Sequence, residues 1–456
     1  MTSSTTWTSP EHRRSVLWVV PLATIAIVFD GYDLVVYGTV LPTLLDDPSQ
    51  LGQLTPATAG ALGSYALIGV MIGALLAGAL LAGAVGDRVG RRRMMLFNII
   101  WFSVGMGATA LATNLTSFGI LRFVTGIGIG GLVATAGAMV AEFAPPAKKN
   151  LFNAIVYSGV PAGGVLAAIL AMVLADHAGW RGLFWVGALP LVTLLPLALL
   201  RMPESPQWLA TRGRLADAEA VSARTGIHVG PARPVAATAP AAAEKVGFAV
   251  LASRRFAGPT LLLGVMSFVG LLLTYGLNTW LPQIMKESGF NAKGSLSFLL
   301  VLNGGAIVGG LIAARFADRR GPQQVVATSF CLATFALIGL TLSLPLPVLL
   351  AAVAVAGTGT IGTQVLIYGF VSNFYPTEAR AAGVAWCAGF GRLGGIFGPV
   401  IGGLLIGAGI SSATAFHLLA GIALIGAAAT MLVKSPKPAD APASGSLTTS
   451  GLAVSE

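Results

Sequence analysis

Long apolar runs recur along this chain with little polar sequence between most of them, and few folds can accommodate that pattern. The runs fall near residues 16–45, 57–85, 94–113, 117–142, 149–175, 182–202, 256–285, 294–317, 324–343, 347–374, 380–407 and 411–433. Each is long enough for a helix to cross the roughly 30 Å hydrocarbon core of a bilayer. In that medium backbone N–H and C=O groups must be satisfied inside the segment, which selects helices. Charged residues are 10% of the chain, against about 25% in soluble domains. The predicted class is an all-α polytopic membrane protein with twelve transmembrane helices.

The 59 glycines lie mostly inside the apolar runs, where they suit close helix packing in lipid. Cys331 and Cys387 also fall in apolar segments and read as small core residues, without a disulfide or metal framework. The first run is long and lacks a small-residue cleavage site, so no cleavable signal is expected. The one long polar segment is 203–255, Ala/Pro-rich from Pro231 to Ala243. Three units are expected. Residues 1–202 form an N-terminal six-helix bundle, 203–255 a cytoplasmic linker, and 256–456 a C-terminal six-helix bundle with a disordered tail from about 435.

Basic residues set the expected orientation. Arg13, Arg14, Arg88, Arg91–Arg93, Lys148, Lys149, Arg319, Arg320, Arg380, Lys434 and Lys437 gather on one side, and Arg181, Lys286 and Lys293 on the other. Both termini and the linker are therefore expected in the cytoplasm, with the chain in the plasma (inner) membrane. The net charge of +10 is explained as a topology signal, and nucleic-acid binding is not expected.

The halves repeat. Gly86-Asp87-Arg88-Val89-Gly90 closes the second run and Ala317-Asp318-Arg319-Arg320-Gly321 the eighth, an offset of 318 − 87 = 231. The same offset relates Phe143-x-Pro145 to Phe374-x-Pro376, Lys149 to Arg380, and Gly163-Gly164 to Gly394-Gly395. A constant offset over separate segments predicts two six-helix halves of parallel topology, with a site between them near the midplane. Asp30 and Asp33 map to Leu261 and Gly264, Arg122 to Val353, and Arg392 to Pro161. The repeated residues therefore read as machinery and the unrepeated charges as the site.

Asp30 and Asp33 are the sharpest of these. A carboxylate in hydrocarbon costs several kcal/mol unless paired, protonated or wetted. At i and i+3 the two share a helix face, roughly 5–6 Å apart at Cβ. They should not both ionise easily, which suits a proton carrier. Arg122 lies about five residues into its span and Asp33 about seventeen into one of opposite direction, which places them at similar depth. Arg122 is the expected counter-ion of Asp33 or Asp30, either as a permanent structural pair or as a partner released to grip a substrate carboxylate. Arg392 is also deep, and reads either as a second carboxylate anchor or as a cap for carbonyls near Gly391 and Gly394. Tyr37, Tyr157, Asn278, Asn303, Gln364, Tyr368, Trp386 and Phe390 are candidates for a ring-lined slot, each with packing as its alternative.

Gly83-x-x-Gly86-Asp87-Arg88-x-Gly90-Arg91-Arg92 and Arg122-Phe123-x-x-Gly126-x-Gly128-x-Gly130-Gly131 resemble the loop and fourth-helix motifs of the major facilitator superfamily. Asp30-Gly31-Tyr32-Asp33 is similar to the first-helix DGxD signature of its aromatic acid:proton symporters. Glu142 with Pro145, Pro203-Glu204-Ser205-Pro206-x-Trp208-Leu209, and Arg380 with Arg392 extend the resemblance. Lys148-Lys149 stands where arginine is expected. The resemblance implies proton-coupled import of a small aromatic carboxylate by alternating access. It also implies that Asp87, Arg88, Arg91, Glu142, Asp318 and Arg380 form interdomain ion pairs of a cytoplasmic gate. Within transport, importers of another organic acid or a sugar and a drug or metabolite antiporter stay open, and a non-transporting membrane sensor is the alternative class. No nucleophile–base pair, metal-ligand cluster or GxxxxGK[ST] loop occurs, so no enzyme, cofactor, metal or ATP drive is expected. A monomer is expected.

Overall fold

The computed structural model describes residues 9–82, 90–145, 148–227 and 248–434, without side chains at 78–82, 150, 377 and 378. The described residues form helices and turns, with no strand among them. The helices are α1 (Pro10–Asp46), α2 (Pro56–Ala82), α3 (Arg91–Ala110), α4 (Leu115–Phe143), α5 (Lys149–Tyr157), α6 (Gly159–Ala188), α7 (Leu194–Arg201), α8 (Pro206–Thr211) and α9 (Leu215–Thr225). They continue with α10 (Phe248–Leu251), α11 (Ala257–Glu287), α12 (Ala292–Arg320), α13 (Pro322–Gly339), α14 (Leu346–Gly357), α15 (Thr363–Phe374), α16 (Thr377–Gly407) and α17 (Ser412–Leu432).

Local signals start them. Ser9 accepts from the His12 N–H at 3.2 Å ahead of Pro10, and Asn114 and Ser117 make a reciprocal capping box on α4. Among the described residues ten segments are long and apolar enough to cross a membrane. One of them, Leu151–Arg201, has 51 residues and turns at Gly179 (φ 61°, ψ −172°), so it is long enough to cross twice. With the 20-residue α3 added, the set is consistent with twelve crossings in a multi-pass membrane protein.

The repeat is visible in the backbone. Gly90 and Gly321, 231 residues apart, both have φ 87° and precede α3 and α13. α1 crosses α6 as α11 crosses α16. A Cβ on Gly163 would lie 2.0 Å from the Val28 carbonyl oxygen, and one on Gly394 would lie 2.0 Å from that of Phe268. The offset between α1 and α11 is therefore 268 − 28 = 240 rather than 231. Asp30 and Asp33 correspond to Gly270 and Leu273, not to Leu261 and Gly264, and remain unrepeated.

α1 to α7 pack mainly on one another, as do α11 to α17. The two groups meet where α2 meets α16, α6 meets α12 and α1 meets α11. These meetings lie toward the face where α1 ends and α11 ends. There a Cβ on Gly38 would lie 2.0 Å from Asn278 O, one on Gly60 2.5 Å from Pro399 O, and one on Gly403 2.4 Å from Pro56 O. Two ion pairs cross between the groups at that face, Asp46 with Lys286, and Asp176 with Lys293 at 3.0 Å.

Part of the 203–255 segment is folded. Ser205 caps α8 by accepting from Trp208 N–H at 2.9 Å, and α9 packs against α1. Glu204 accepts from the Arg92 N–H at 2.9 Å, tying the segment to the start of α3. The stretch from Pro231 to Ala243 and the tail from 435 lie outside the described residues. The tenth apolar run is one path broken by a π-helical turn at Thr358–Gly362, between α14 and α15.

Candidate functional site

The site is placed by the α1–α6 crossing. Gly31 sits against Val160, where a Cβ would fall 2.0 Å from the carbonyl oxygen, and the Tyr32 hydroxyl donates to Leu183 O at 2.7 Å. These contacts fix the rotation of α1 and turn Asp30 and Asp33 away from lipid. Asp30 is 3% exposed and Asp33 0%.

Arg122 on α4 forms an ion pair with Asp33 Oδ1 and donates to Asp33 O at 3.3 Å. Its guanidinium carbon stands 5.6 Å from the Tyr37 ring centroid and 5.8 Å from that of Phe184. Phe118 packs against both rings and against Trp180. The Tyr37 hydroxyl donates to Ala59 O at 2.7 Å. Aromatic faces and a backbone carbonyl add to the pair, while Asp33 Oδ2 and Arg122 Nε are buried without a hydrogen-bond partner among the described residues.

A second cluster spans the two helix groups. Asp30 and Arg392 lie within electrostatic reach of each other and of both Tyr157 and Tyr275, and Tyr368 reaches both of those tyrosines. Arg392, Tyr157, Tyr275 and Tyr368 are half-buried. Tyr157 donates at 3.4 Å to Val133 O. Asn303 donates to Asn278 Oδ1 at 2.9 Å, and both line the seam between the groups, Asn278 against Gly38 and Asn303 against Gly164.

Other candidates are bound up in packing. Trp386 donates to Thr260 O at 3.0 Å and stacks on Phe390 with centroids 5.2 Å apart, on the α11–α16 contact. Gln364 donates to Ser267 Oγ at 3.4 Å, while its Oε1 is buried without a partner among the described residues. Tyr275, Phe118 and Phe184 were not singled out by the sequence. Tyr275 precedes Asn278 by three residues, one helical turn, and that spacing on a shared face is the signal that could have found it.

Of the six gate candidates, Asp87 and Arg88 lie outside the described residues. Glu142 is held within its own group, by the Ser205 hydroxyl and the Gln207 N–H (3.2 Å), with Arg91 in electrostatic reach. Asp318 and Arg380 are exposed and form no ion pair among the described residues. A buried acid facing an arginine across a seam between two helix groups can exchange a proton for an anion. Among the described residues no group of three or more His, Cys, Asp or Glu side chains could hold a metal.

Known proteins share this plan. The family model described as Major Facilitator Superfamily matches residues 23–382 and 303–454. The chain belongs to the major facilitator superfamily. Within it, a gentisate transporter of Corynebacterium glutamicum is 34% identical over 406 residues, 88% of this chain and 84% of the relative. A benzoate transport protein of Acinetobacter baylyi is 32% identical over 405 residues, 87% of this chain and 84% of the relative. A gallate transporter of Pseudomonas putida is 32% identical over 403 residues, 88% of each chain. Among solved structures, a D-xylose-proton symporter superposes with TM-score 0.70 at 18% identity, over 92% of this chain and 99% of that one. At that identity the likeness speaks for the fold, and this superfamily member shares it.

Proposed function

We propose that this protein is a secondary transporter that imports a small aromatic carboxylate together with protons, by alternating access. The observation that carries the reading is the Asp30–Arg392 juxtaposition across the two helix groups, in a chain whose relatives are named for gentisate, benzoate and gallate. An anion needs a fixed cation, and a proton carrier needs an acid whose charge is costly when unpaired. Tyr157 and Tyr275, within electrostatic reach of that pair, and Tyr368, within reach of both tyrosines, suit an aromatic ligand. Charge asymmetry favours termini in the cytoplasm and residence in the inner membrane. The ion pairs at the face opposite the termini, with Asp318 and Arg380 exposed at the other, favour a conformer open toward the terminal side. The protein works as a monomer in this reading, its partners being the acid, protons and the bilayer, without nucleic acid.

The test is uptake into vesicles under an imposed pH gradient, with labelled benzoate, gentisate and gallate against labelled D-xylose. An aromatic acid should accumulate, a protonophore should abolish the accumulation, and D-xylose should stay at background. Accumulation of the sugar alone, or acid uptake indifferent to the gradient, overturns the reading.

A further inference from the structure

Asp30 and Asp33 share a helix face and have unlike surroundings. Asp33 and Arg122 form a closed unit, their side chains 0% and 2% exposed. Rings of Tyr37 and Phe184 cover the guanidinium, and Phe118 fills the space between them. A substrate carboxylate could reach Arg122 only by breaking that aromatic packing.

Asp30 faces the seam. Its Oδ1 is buried without a hydrogen-bond partner among the described residues, as are Asp33 Oδ2 and Arg122 Nε, but unlike Asp33, Asp30 forms no ion pair among them. The titratable and charged groups facing it are Asp33 on its own helix, Tyr157 at the end of α5, Tyr275 on α11 and Arg392 on α16. Arg392 is half-buried, and among the described residues no hydrogen bond or ion pair holds it. The hydroxyl of Tyr275, within reach of both Asp30 and Arg392, likewise has no hydrogen-bond partner among the described residues.

We infer that the Asp30 carboxylate and the transported anion compete for one guanidinium, that of Arg392, and that a proton on Asp30 relieves the competition. Asp30 carries the proton, Tyr275 is a second donor to the bound carboxylate, and the Asp33–Arg122 pair stays closed as a strut. The inference rests on the reading of the protein as a proton-coupled carboxylate importer, and assigns its coupling step to particular atoms. Ionised, Asp30 neutralises Arg392 and repels an incoming anion. A proton taken onto Asp30 removes the repulsion and frees the guanidinium, which offers two parallel N–H donors to a carboxylate. The Tyr275 hydroxyl adds a third. Departure of the anion leaves Arg392 to draw Asp30 back to its ionised form, and the proton leaves on the same side. Only the O–H bond of Asp30 forms and breaks.

The test uses full-length protein in proteoliposomes, with labelled benzoate, gentisate and gallate. It has two readouts: accumulation driven by a pH gradient, and counterflow at equal pH. Asp30→Asn should abolish accumulation and keep counterflow. Asp33→Asn should depress both together, and the double variant Asp33→Asn/Arg122→Gln should regain both, since no buried charge is left unpaired. Asp33→Glu, which keeps the pair, should retain gradient-driven accumulation. Tyr275→Phe should raise the counterflow KM about tenfold for all three acids alike, with little change in maximal rate. Counterflow without accumulation in Asp33→Asn or Asp33→Glu would place coupling on Asp33 and overturn the inference. A Tyr275→Phe effect confined to gentisate and gallate would make Tyr275 a reader of ring hydroxyls, and no effect would remove it from the site. If wild type moves none of the acids in either mode, the functional reading falls and the inference with it. If wild type transports and the variants depart from this pattern, the inference alone fails.

Discussion

Arg122 shows how a single charge is kept inside a membrane protein. Its guanidinium combines an ion pair to Asp33, a backbone acceptor on the same residue and two aromatic faces. Removing one member of such a pair leaves the other buried and uncompensated, at a cost of about 3–5 kcal/mol. Asp33→Ala and Arg122→Ala should each lose stability of that size. The double variant should lose less than the sum, as a double-mutant cycle of unfolding in detergent would record. Additive losses would mean that the pair contributes no coupling energy. Arg122→Lys should not rescue, because an ammonium cannot serve the carboxylate and the carbonyl with one planar fork or lie flat against rings.

At the scale of the element, glycine decides where helices touch. Gly31 and Gly163 let α1 and α6 approach until a Cβ on either would lie 2.0 Å from a carbonyl oxygen. Such clashes involve backbone, which cannot swing aside, so Gly163→Ala should cost roughly 1–3 kcal/mol by forcing the helices apart. Gly421, in α17, has nothing within 4 Å of its built Cβ, and Gly421→Ala should leave stability unchanged or slightly higher. Thermal unfolding of the two variants in one detergent makes the comparison, and equal behaviour would refute the packing argument. The π-helical turn at Thr358–Gly362 is a second device of this scale. It re-aims the path just ahead of Gln364 and Tyr368, and the Thr358 hydroxyl donating to Gly305 O at 3.0 Å holds its start.

Across the whole molecule, the conformer is set by which face of the seam is closed. Asp46–Lys286 and Asp176–Lys293 tie the two helix groups at the face opposite the termini. Both pairs are partly exposed, and such pairs contribute about 0.2–1 kcal/mol each. Together they bias the equilibrium between the two open states by a factor of roughly thirty at most. Lys286→Gln combined with Lys293→Gln should shift the population toward opening on that face. Ser64, 2% exposed and donating to Ile396 O at 2.6 Å across the seam, is the place to measure it. A cysteine there should react several-fold faster with a membrane-impermeant maleimide in the double variant. An unchanged rate would show that packing alone, through Gly38, Gly60 and Gly403, holds the face closed.

The sequence by itself determined the helical membrane class, the internal repeat and the unrepeated charges. Hydrophobic length, positive charge and a constant spacing are local or periodic properties, and they survive reading in one dimension. The offset of 231 holds where Gly90 and Gly321 share one unusual φ, and fails at α1, because the register of a helix crossing depends on which glycine meets which carbonyl. The pairing of Arg122 with Asp33 rather than Asp30 was likewise left to packing. Two acids one turn apart look alike in sequence, and only rings from α1, α4 and α6 closing over one of them make it different. Tyr275 entered the site for the same reason, and Trp386 and Phe390 turned to the α11–α16 contact. A side chain's type is written in the chain, whereas its neighbours are set by how far each helix turns and how closely it can approach the next.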